Sequence, residues 1–480
     1  MPNIRWVCLS DLHLGEEDSL LTHVNERGEV EPDGVSPVLL RLAECVHELI
    51  AANDSSAPRP DLILNGDILE LALAHEHVAA EGFMQFLRAV APDPKTFREI
   101  IYLPGNHDHH LWETAREAQY LNYVRRQEPQ ARLKEPWHTT KVFMDLQGVD
   151  RLSSEFLTTL ARRWPQFTET EILIAYPNYG VRDPNWNRAV VFHHGHFIEP
   201  LYHFMSTVTS FVFPDRALPK TVYALEQENF AWIDFFWSAM GRQGKAGEAV
   251  EQIYEATGDE TELQKLADEL ARSLAQHYDA LRRVPECTER WLWQKALREL
   301  LVRKVTGQQE RQRTAQLEAN YPLSASARRK LAWYVEELLL QQMCEEVGRT
   351  PRALTFVFGH THKPFQRLQP SVRFPDGVSL FNTGGWVVDS VDSVPVRGAA
   401  MVLIDEALHA VNVRLYQEGC YKVSVEEALP PGPAPSAFAE KIRSLVHRDR
   451  QPWKSFAEAT SREMERRQKL LARRLKGPQW

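Results

Sequence analysis

The chain predicts an α/β fold carrying added helices, on three observations. Short apolar runs at Ile4–Ser10, Asp61–Asn65 and Glu99–Leu103 read as buried strands. Helical segments at Val38–Ala52 and Phe83–Val90 fall between them, which is the order of βα units. Each strand-like run then ends in a small polar cluster: Asp11-Leu12-His13, Gly66-Asp67, and Gly105-Asn106-His107-Asp108. Loops leaving strand ends on one edge of a sheet converge, and the sheet behind holds them in place.

The remaining elements follow in order. Asn53–Pro60 is a turn-forming connection between a helix and a strand. From Trp112 to Gln166 helix and strand patterns mix, with a strand expected at Lys141–Leu146. Phe192-His193-His194-Gly195-His196 is a fourth cluster, in which alternation along a strand sends His193 and His194 to opposite faces. His194 is preferred as the ligand and His196 is its rival. The runs Leu201–Phe213 and Phe230–Met240 are unusually aromatic, which fits core packing, a groove for an acyl chain, or a membrane-facing edge. Helical spacing marks Glu248–Arg283, Thr288–Ala315 and Ser326–Val347. A fifth cluster, Gly359-His360-Thr361-His362, follows the apolar Ala353–Phe358, and strands are expected at Val378–Asn382, Ala399–Ile404 and His409–Tyr416.

These patterns divide the chain into residues 1–200 as the first part of a core, 201–351 as an all-helical insertion or cap, 352–428 as the second part, and 429–480 as a Pro-rich linker with a basic helical tail. The insertion enters and leaves beside two of the polar clusters, so it is the expected selector of substrate. The tail, with Arg466, Arg467, Arg473, Arg474 and Lys476 interleaved with leucines, suits an anionic membrane surface, nucleic acid, or the chain's own acidic body. It reads as dispensable for hydrolysis of a small soluble substrate.

The clusters point to metal chemistry. Mixed nitrogen and oxygen donors suit Mn, Fe, Zn or Ni better than Mg or Ca. Two divalent ions need a bridging carboxylate, and Asp67 is the natural one, alone at a strand tip behind a glycine that lets the backbone turn close. Asp11 and Asp67 cancel only part of the charge of such a pair, leaving a centre suited to a phosphate group. Asn106 fits as a neutral oxygen ligand. His107 with Asp108 reads as a general acid, the carboxylate orienting an imidazolium that protonates a departing alkoxide. His109 extends that motif and, with His196, is a candidate for touching substrate.

In this order, D-x-H, G-D, G-N-H-D, H-G-H and G-H-T-H, the motifs resemble those of the calcineurin-like metallophosphoesterase superfamily. The resemblance implies a two-layered mixed β-sheet core flanked by helices. It implies that Asp11, His13, Asp67 and His362 hold one ion and that Asp67, Asn106, His194 and His360 hold the other, manganese being preferred. His107 would be the catalytic histidine, acting with a metal-bridging hydroxide on a phosphodiester or pyrophosphate bond in a nucleotide-linked or lipid-linked small molecule. Asn382-Thr383-Gly384-Gly385-Trp386 is similar to the family's N-x-G-S-W turn, with Gly385 in the serine's place, and Glu70 would support the ligands. The alternatives are a nuclease of the same superfamily and a non-catalytic scaffold stabilised by its metals.

Composition agrees with a large globular body: 480 residues, 43% hydrophobic and 25% charged. The net charge of -9 disfavours generic nucleic-acid binding by the whole surface. Five scattered cysteines without a C-x-x-C pair read as reduced thiols, and with no apolar run of about 20 residues the expected location is cytoplasmic.

Overall fold

The computed structural model describes residues 2–146, 151–199, 202, 206, 219–234, 322–430, 432 and 434–475. The helices expected at Glu248–Arg283 and Thr288–Ala315, and much of the two aromatic runs, lie outside the described residues. Along the chain the strands are Ile4–Leu9 (β1), Asp61–Asn65 (β2), Ile100–Leu103 (β3), Leu152–Ser153 (β4), Ile172–Ile174 (β5), Asn178–Arg182 (β6), Arg188–His193 (β7), Ala353–Phe358 (β8), Phe365–Gln369 (β9), Val378–Asn382 (β10), Gly398–Asp405 (β11), Ala410–Gln417 (β12) and Ser424–Glu426 (β13).

They form two mixed sheets. One has eight strands in the order β13-β12-β11-β1-β2-β3-β5-β4, the other five in the order β6-β7-β8-β10-β9. β1, β2 and β3 run parallel, and β7, β8 and β10 run parallel in the second sheet. The side-chain period of two explains how the sheets stack. Cys8, Ile63, Ile101 and Leu103 point one way and meet Val190, Phe192, Val357 and Phe381 of the other sheet in a shared core. Their neighbours Val7, Leu9, Leu62, Leu64, Ile100 and Tyr102 point outward under helices, as Val191, Leu354, Phe356 and Leu380 do on the other side. A strand buried on both faces reads as an unbroken apolar run, the pattern by which β1, β2 and β8 announce themselves.

Helices Pro37–Ala51 (α1) and Glu76–Val90 (α2) cover the larger sheet. His110–Arg125 (α3) leaves the third motif directly, and Glu155–Arg162 (α4) follows. The second sheet is covered by Val222–Ile233 (α5), by Ala325–Trp333 (α6), and by a π-helical turn Tyr334–Leu339 that runs into Leu340–Val347 (α7). Tyr334 lies 4.0 Å from Phe197, ring centre to ring centre and nearly parallel, so the π turn packs onto the segment after the fourth motif.

One expectation needs correction. Lys141–Leu146 is not a strand: Val142 and Phe143 are buried, but the amide of Val142 donates to the Glu346 carboxylate at 2.9 Å instead of to a neighbouring strand. Of the three destinations open to the C-terminal tail, the structure takes the chain's own body. Ala437–Leu445 (α8) and Trp453–Leu475 (α9) pack into the main core, with Phe438, Trp453, Phe456 and Met464 at 0–1% exposure. Its cations Arg466, Arg467 and Arg474 engage the body, while Arg473 is exposed. The guanidinium of Arg467, 1% exposed, donates to the carbonyls of Glu17 and Thr22 and to Glu463, while Arg466 reaches Val24 and Asn25 and Arg474 pairs with Glu17 and Asp18. Among the described residues, no helix is long and apolar enough to cross a membrane. Cys8, Cys45, Cys344 and Cys420 are free thiols.

Candidate metal centre

The five clusters converge at one edge of the paired sheets. The amide of Asp11 donates to the carbonyl of Gly66 at 2.9 Å, that of His13 to Asp67 at 3.0 Å, and that of Gly359 to His194 at 2.8 Å, so backbone bonds stitch motif to motif. The His107 amide donates to Asp67 Oδ1 at 2.9 Å, joining the third motif to the second. Asn382 closes the ring: its side chain donates to the Gly359 carbonyl at 2.8 Å and accepts from the Gly384 amide at 2.9 Å.

Asp11, His13, Asp67, His360 and His362 all have φ between 44° and 66°, five of the seven non-glycine residues with positive φ among the described residues. Such a backbone is rare for residues with a Cβ and costs about 1 kcal/mol or more at each position. Strain gathered at these five side chains is a property of a site, since ordinary loops would relax it with glycine or asparagine.

Side chains meet as follows. His194 Nε2 lies 3.0 Å from Asp67 Oδ2, 3.0 Å from Asn106 Oδ1 and 3.2 Å from His360 Nδ1. One ring nitrogen offers one hydrogen or one lone pair, so three polar atoms around it exceed what hydrogen bonding uses. On the other side of Asp67, His13 Nε2 stands 3.9 Å from Oδ2 and makes no hydrogen bond although buried, and His362 Nε2 stands 3.6 Å from Asp11 Oδ1. The donor atoms of Asp11, His13 and His362 lie within 4.8 Å of one another, and so do those of Asp67, His194 and His360.

Each histidine is also held from behind. His13 Nδ1 meets Glu70 at 2.8 Å, His362 Nδ1 meets Asp389 at 3.5 Å, His360 Nε2 meets Glu199 at 3.5 Å, and His194 Nδ1 faces the Asn65 carbonyl at 3.3 Å. A partner on the far nitrogen fixes which nitrogen faces inward, the arrangement seen behind metal-binding imidazoles. The sequence reading suggested Glu70 for such a role. It missed Asp389, which sits past Trp386 in no motif.

Electrostatics follow from burial and from these pairings. Burial and the neighbouring Asp67 hold Asp11 well above the ordinary carboxylate range. Burial would also raise Asp67, but the rings of His194, His107 and His13 hold it well below that range. Two buried carboxylates that cannot both be charged comfortably form a donor set suited to divalent cations, so the residues present fit a metal pair.

The pairing expected between His107 and Asp108 is not what the fold makes. His107 Nδ1 lies 2.8 and 3.0 Å from the two oxygens of Glu70. Asp108 instead accepts from the backbone amides of Gly105 at 2.7 Å and Ile68 at 2.8 Å, tying the second and third motif loops together. The reason is local: a carboxylate one residue after His107 is turned back under its own loop, where four amides await it. Burial opposes charge on His107, yet Glu70 and Asp67 together bring the imidazolium up to about 10, while Glu70, against its own burial, is drawn down to about 2 by His107 and His13. Burial and Asp67 push Asp108 up to about 6.

Of the two rivals in the fourth motif, His194 meets Asp67, Asn106 and His360; His196 is buried among Tyr176, Tyr202 and His193 and neither of its ring nitrogens has a hydrogen-bond partner. His109 turns away from the centre, its Nε2 3.1 Å from the Tyr176 hydroxyl. Gly385 has a physical reason to replace serine: a Cβ there would stand 2.4 Å from the His362 ring. The open side is marked by exposure. Asp11, Asp67, Asn106 and His194 are at 0–2%, whereas the side chains of His360, His107 and His362 show 11%, 13% and 19%.

The sequence profile described as calcineurin-like phosphoesterase matches residues 4–233, which hold the first four motifs and leave Gly359–His362 beyond it. No curated protein matches the chain. Among solved structures, phosphopantetheinyl hydrolase from Mycobacterium tuberculosis is similar at 13% identity and a TM-score of 0.23, covering 80% of this chain and 90% of that one, an agreement too loose to bear on function.

Proposed function

We propose, from the premise that this chain is a calcineurin-like metallophosphoesterase and hydrolyses a phosphoester, that it works with two divalent ions on a phosphodiester or pyrophosphate bond in a nucleotide-linked or lipid-linked small molecule. The observation that carries this is Asp67, whose carboxylate stands between two donor sets, 3.0 Å from His194 and 3.9 Å from His13. Asp11, His13, Asp67 and His362 would hold one ion, and Asp67, Asn106, His194 and His360 the other, with manganese the preferred metal. Bound there, such ions supply an activated nucleophile at neutral pH and positive charge for phosphoryl oxygens.

The chain's own residues do the rest. Substrate reaches the centre past His107, His360 and His362, the rings that solvent touches. Nδ1 of His107 is held by Glu70, so Nε2 is the atom that gives a proton to the departing oxygen. Glu70 keeps that ring protonated, and two bound cations would offset part of its pull, bringing the donor closer to neutral pH. Lys363 beside His362 is pushed by burial and by nearby Arg397 down to about 8. It would offer charge to a second phosphoryl group, which favours the pyrophosphate over the diester within this reading. Against the nuclease alternative, Arg466, Arg467 and Arg474 of the basic tail are engaged by the chain's own carbonyls and carboxylates.

The test is a panel of monoesters, diesters, nucleotide-sugar pyrophosphates and oligonucleotides assayed with manganese, beside Asp67→Ala. The wild type should bind two equivalents of metal and favour diesters or pyrophosphates, and the variant should lose metal and turnover together. Metal content unchanged in Asp67→Ala would overturn the bridging assignment.

A further inference from the structure

A second buried polar group lies behind the centre, and the metal chemistry does not use it. Tyr176 and Tyr202 both donate their hydroxyls to the carboxylate of Glu226, Tyr176 at 2.6 Å. The Tyr176 oxygen also lies 3.1 Å from Nε2 of His109. All four residues are at 0% exposure. An unpaired carboxylate is unfavourable at such a depth, so a glutamate met by two phenols is a built contact. Glu226 belongs to α5. Further along, at the C-terminal end of the same helix, Asp234 stands 3.2 Å from Nδ1 of His110 and 3.8 Å from Nδ1 of His109. Between the two carboxylates, Phe230 receives the guanidinium of Arg116 at 4.5 Å from its ring centre. Thus α5 grips the start of α3 at two polar points and its second turn at one cation–π point.

The first turn of α3 is continuous with the His107 loop. The amide of Leu111 donates to the carbonyl of Asp108 at 3.0 Å and that of Trp112 to His109 at 2.9 Å, while the Asp108 carboxylate fixes Gly105 and Ile68. No slack separates His109 from His107. Glu70 holds the ring of His107 from the front, and α5 holds its loop from behind. Hydrogen bonds are directional in a way apolar packing is not, so these carboxylates select one setting of the turn. We propose that Glu226 and Asp234 are positioning residues for His107, acting through Tyr176, His109 and His110, so that the placement of the proton donor depends on how α5 is seated. This rests on the reading of His107 as the donor.

The experiment uses the full chain with manganese and two esters of one nucleoside phosphate, a nitrophenyl ester that leaves without a proton and an alkyl ester that needs one. Asp234→Asn should lower kcat on the alkyl ester about tenfold, as a small misplacement of a catalytic group does, leave the nitrophenyl ester within about twofold, and leave KM and metal content unchanged. Asp234→Glu should restore most of the loss. Glu226→Gln, which keeps one hydrogen-bond acceptor, should follow Asp234→Asn in kind. Added to His107→Ala, Asp234→Asn should cost nothing more, since both act on one step. Equal losses on the two esters, or a further loss in the His107→Ala background, would overturn the positioning role. The donor assignment fails separately, if His107→Ala alone slows both esters alike.

Discussion

Helices α5 and α9 brace motif loops from opposite faces of the paired sheets, and they do so with different chemistry. α9 buries Trp453, Phe456 and Met464 in the core and carries Arg467 to the carbonyls of Glu17 and Thr22, just past His13. α5 offers carboxylates to Tyr176, Tyr202, His109 and His110 beside His107. Burial of apolar surface is strong and indifferent to small displacements, so α9 decides whether the first motif's loop has anything to stand on. Directional polar contacts add less stability and more precision, so α5 decides where an already folded loop sits.

The largest test of that contrast is to end the chain before Ala437. Losing the four buried large side chains Phe438, Trp453, Phe456 and Met464 removes about 1.5–3 kcal/mol each, a large part of the stability of an ordinary domain. Thermal melting should collapse, with metal binding and activity lost alongside. A truncated chain that melts as the full one does, and still hydrolyses a soluble diester, would show that α9 is ornamental.

A smaller effect is expected from Arg467→Ala. Glu463 keeps Arg466 as a partner, but the carbonyls of Glu17 and Thr22 lose the donor they share, at about 1–3 kcal/mol for each buried acceptor left unmet. The melting temperature should fall while kcat per folded molecule stays the same. A selective loss of kcat with no change in melting would place Arg467 with the α5 class of contacts instead.

The smallest effect concerns Asp11, where burial and Asp67 disfavour the charged form and φ is 51°. Asp11→Asn removes the charge and keeps the shape. In metal-free protein the variant should melt a few degrees higher than wild type, about 1 kcal/mol, and in excess manganese the order should reverse. If the variant is the less stable one in both conditions, the acidic pair is not a cost that cations relieve.

Much of this was legible in the residues. β2, β8 and β10 fall at the expected bounds because strands covered on both faces carry apolar residues on both, with few polar ones between. The seven side chains expected to bind metal gather because each follows such a strand end. What escaped was pairing in space. Asp108 is next to His107 in sequence, whereas Glu70 reaches the same ring from another loop, and sequence distance carries no information about that choice. Asp389 lies in no pattern at all. Val142 and Phe143 are apolar enough for a strand, but the partner of the Val142 amide is Glu346, some two hundred residues on. The sign of charge on α9 was plain, and its destination, carbonyl oxygens of a loop near the other end of the chain, was not.

The motif glycines show one more dependence. A methyl group on Gly66 would strike His194 at 2.3 Å, on Gly105 Asp67 Oδ1 at 2.2 Å, and on Gly359 Asp11 Oδ2 at 2.0 Å. Each glycine clears room for a ligand that a different motif supplies. The signature is therefore an interlock of complementary shapes, and a single motif grafted into a foreign scaffold would arrive without the neighbour whose side chain its bare backbone was cut to admit.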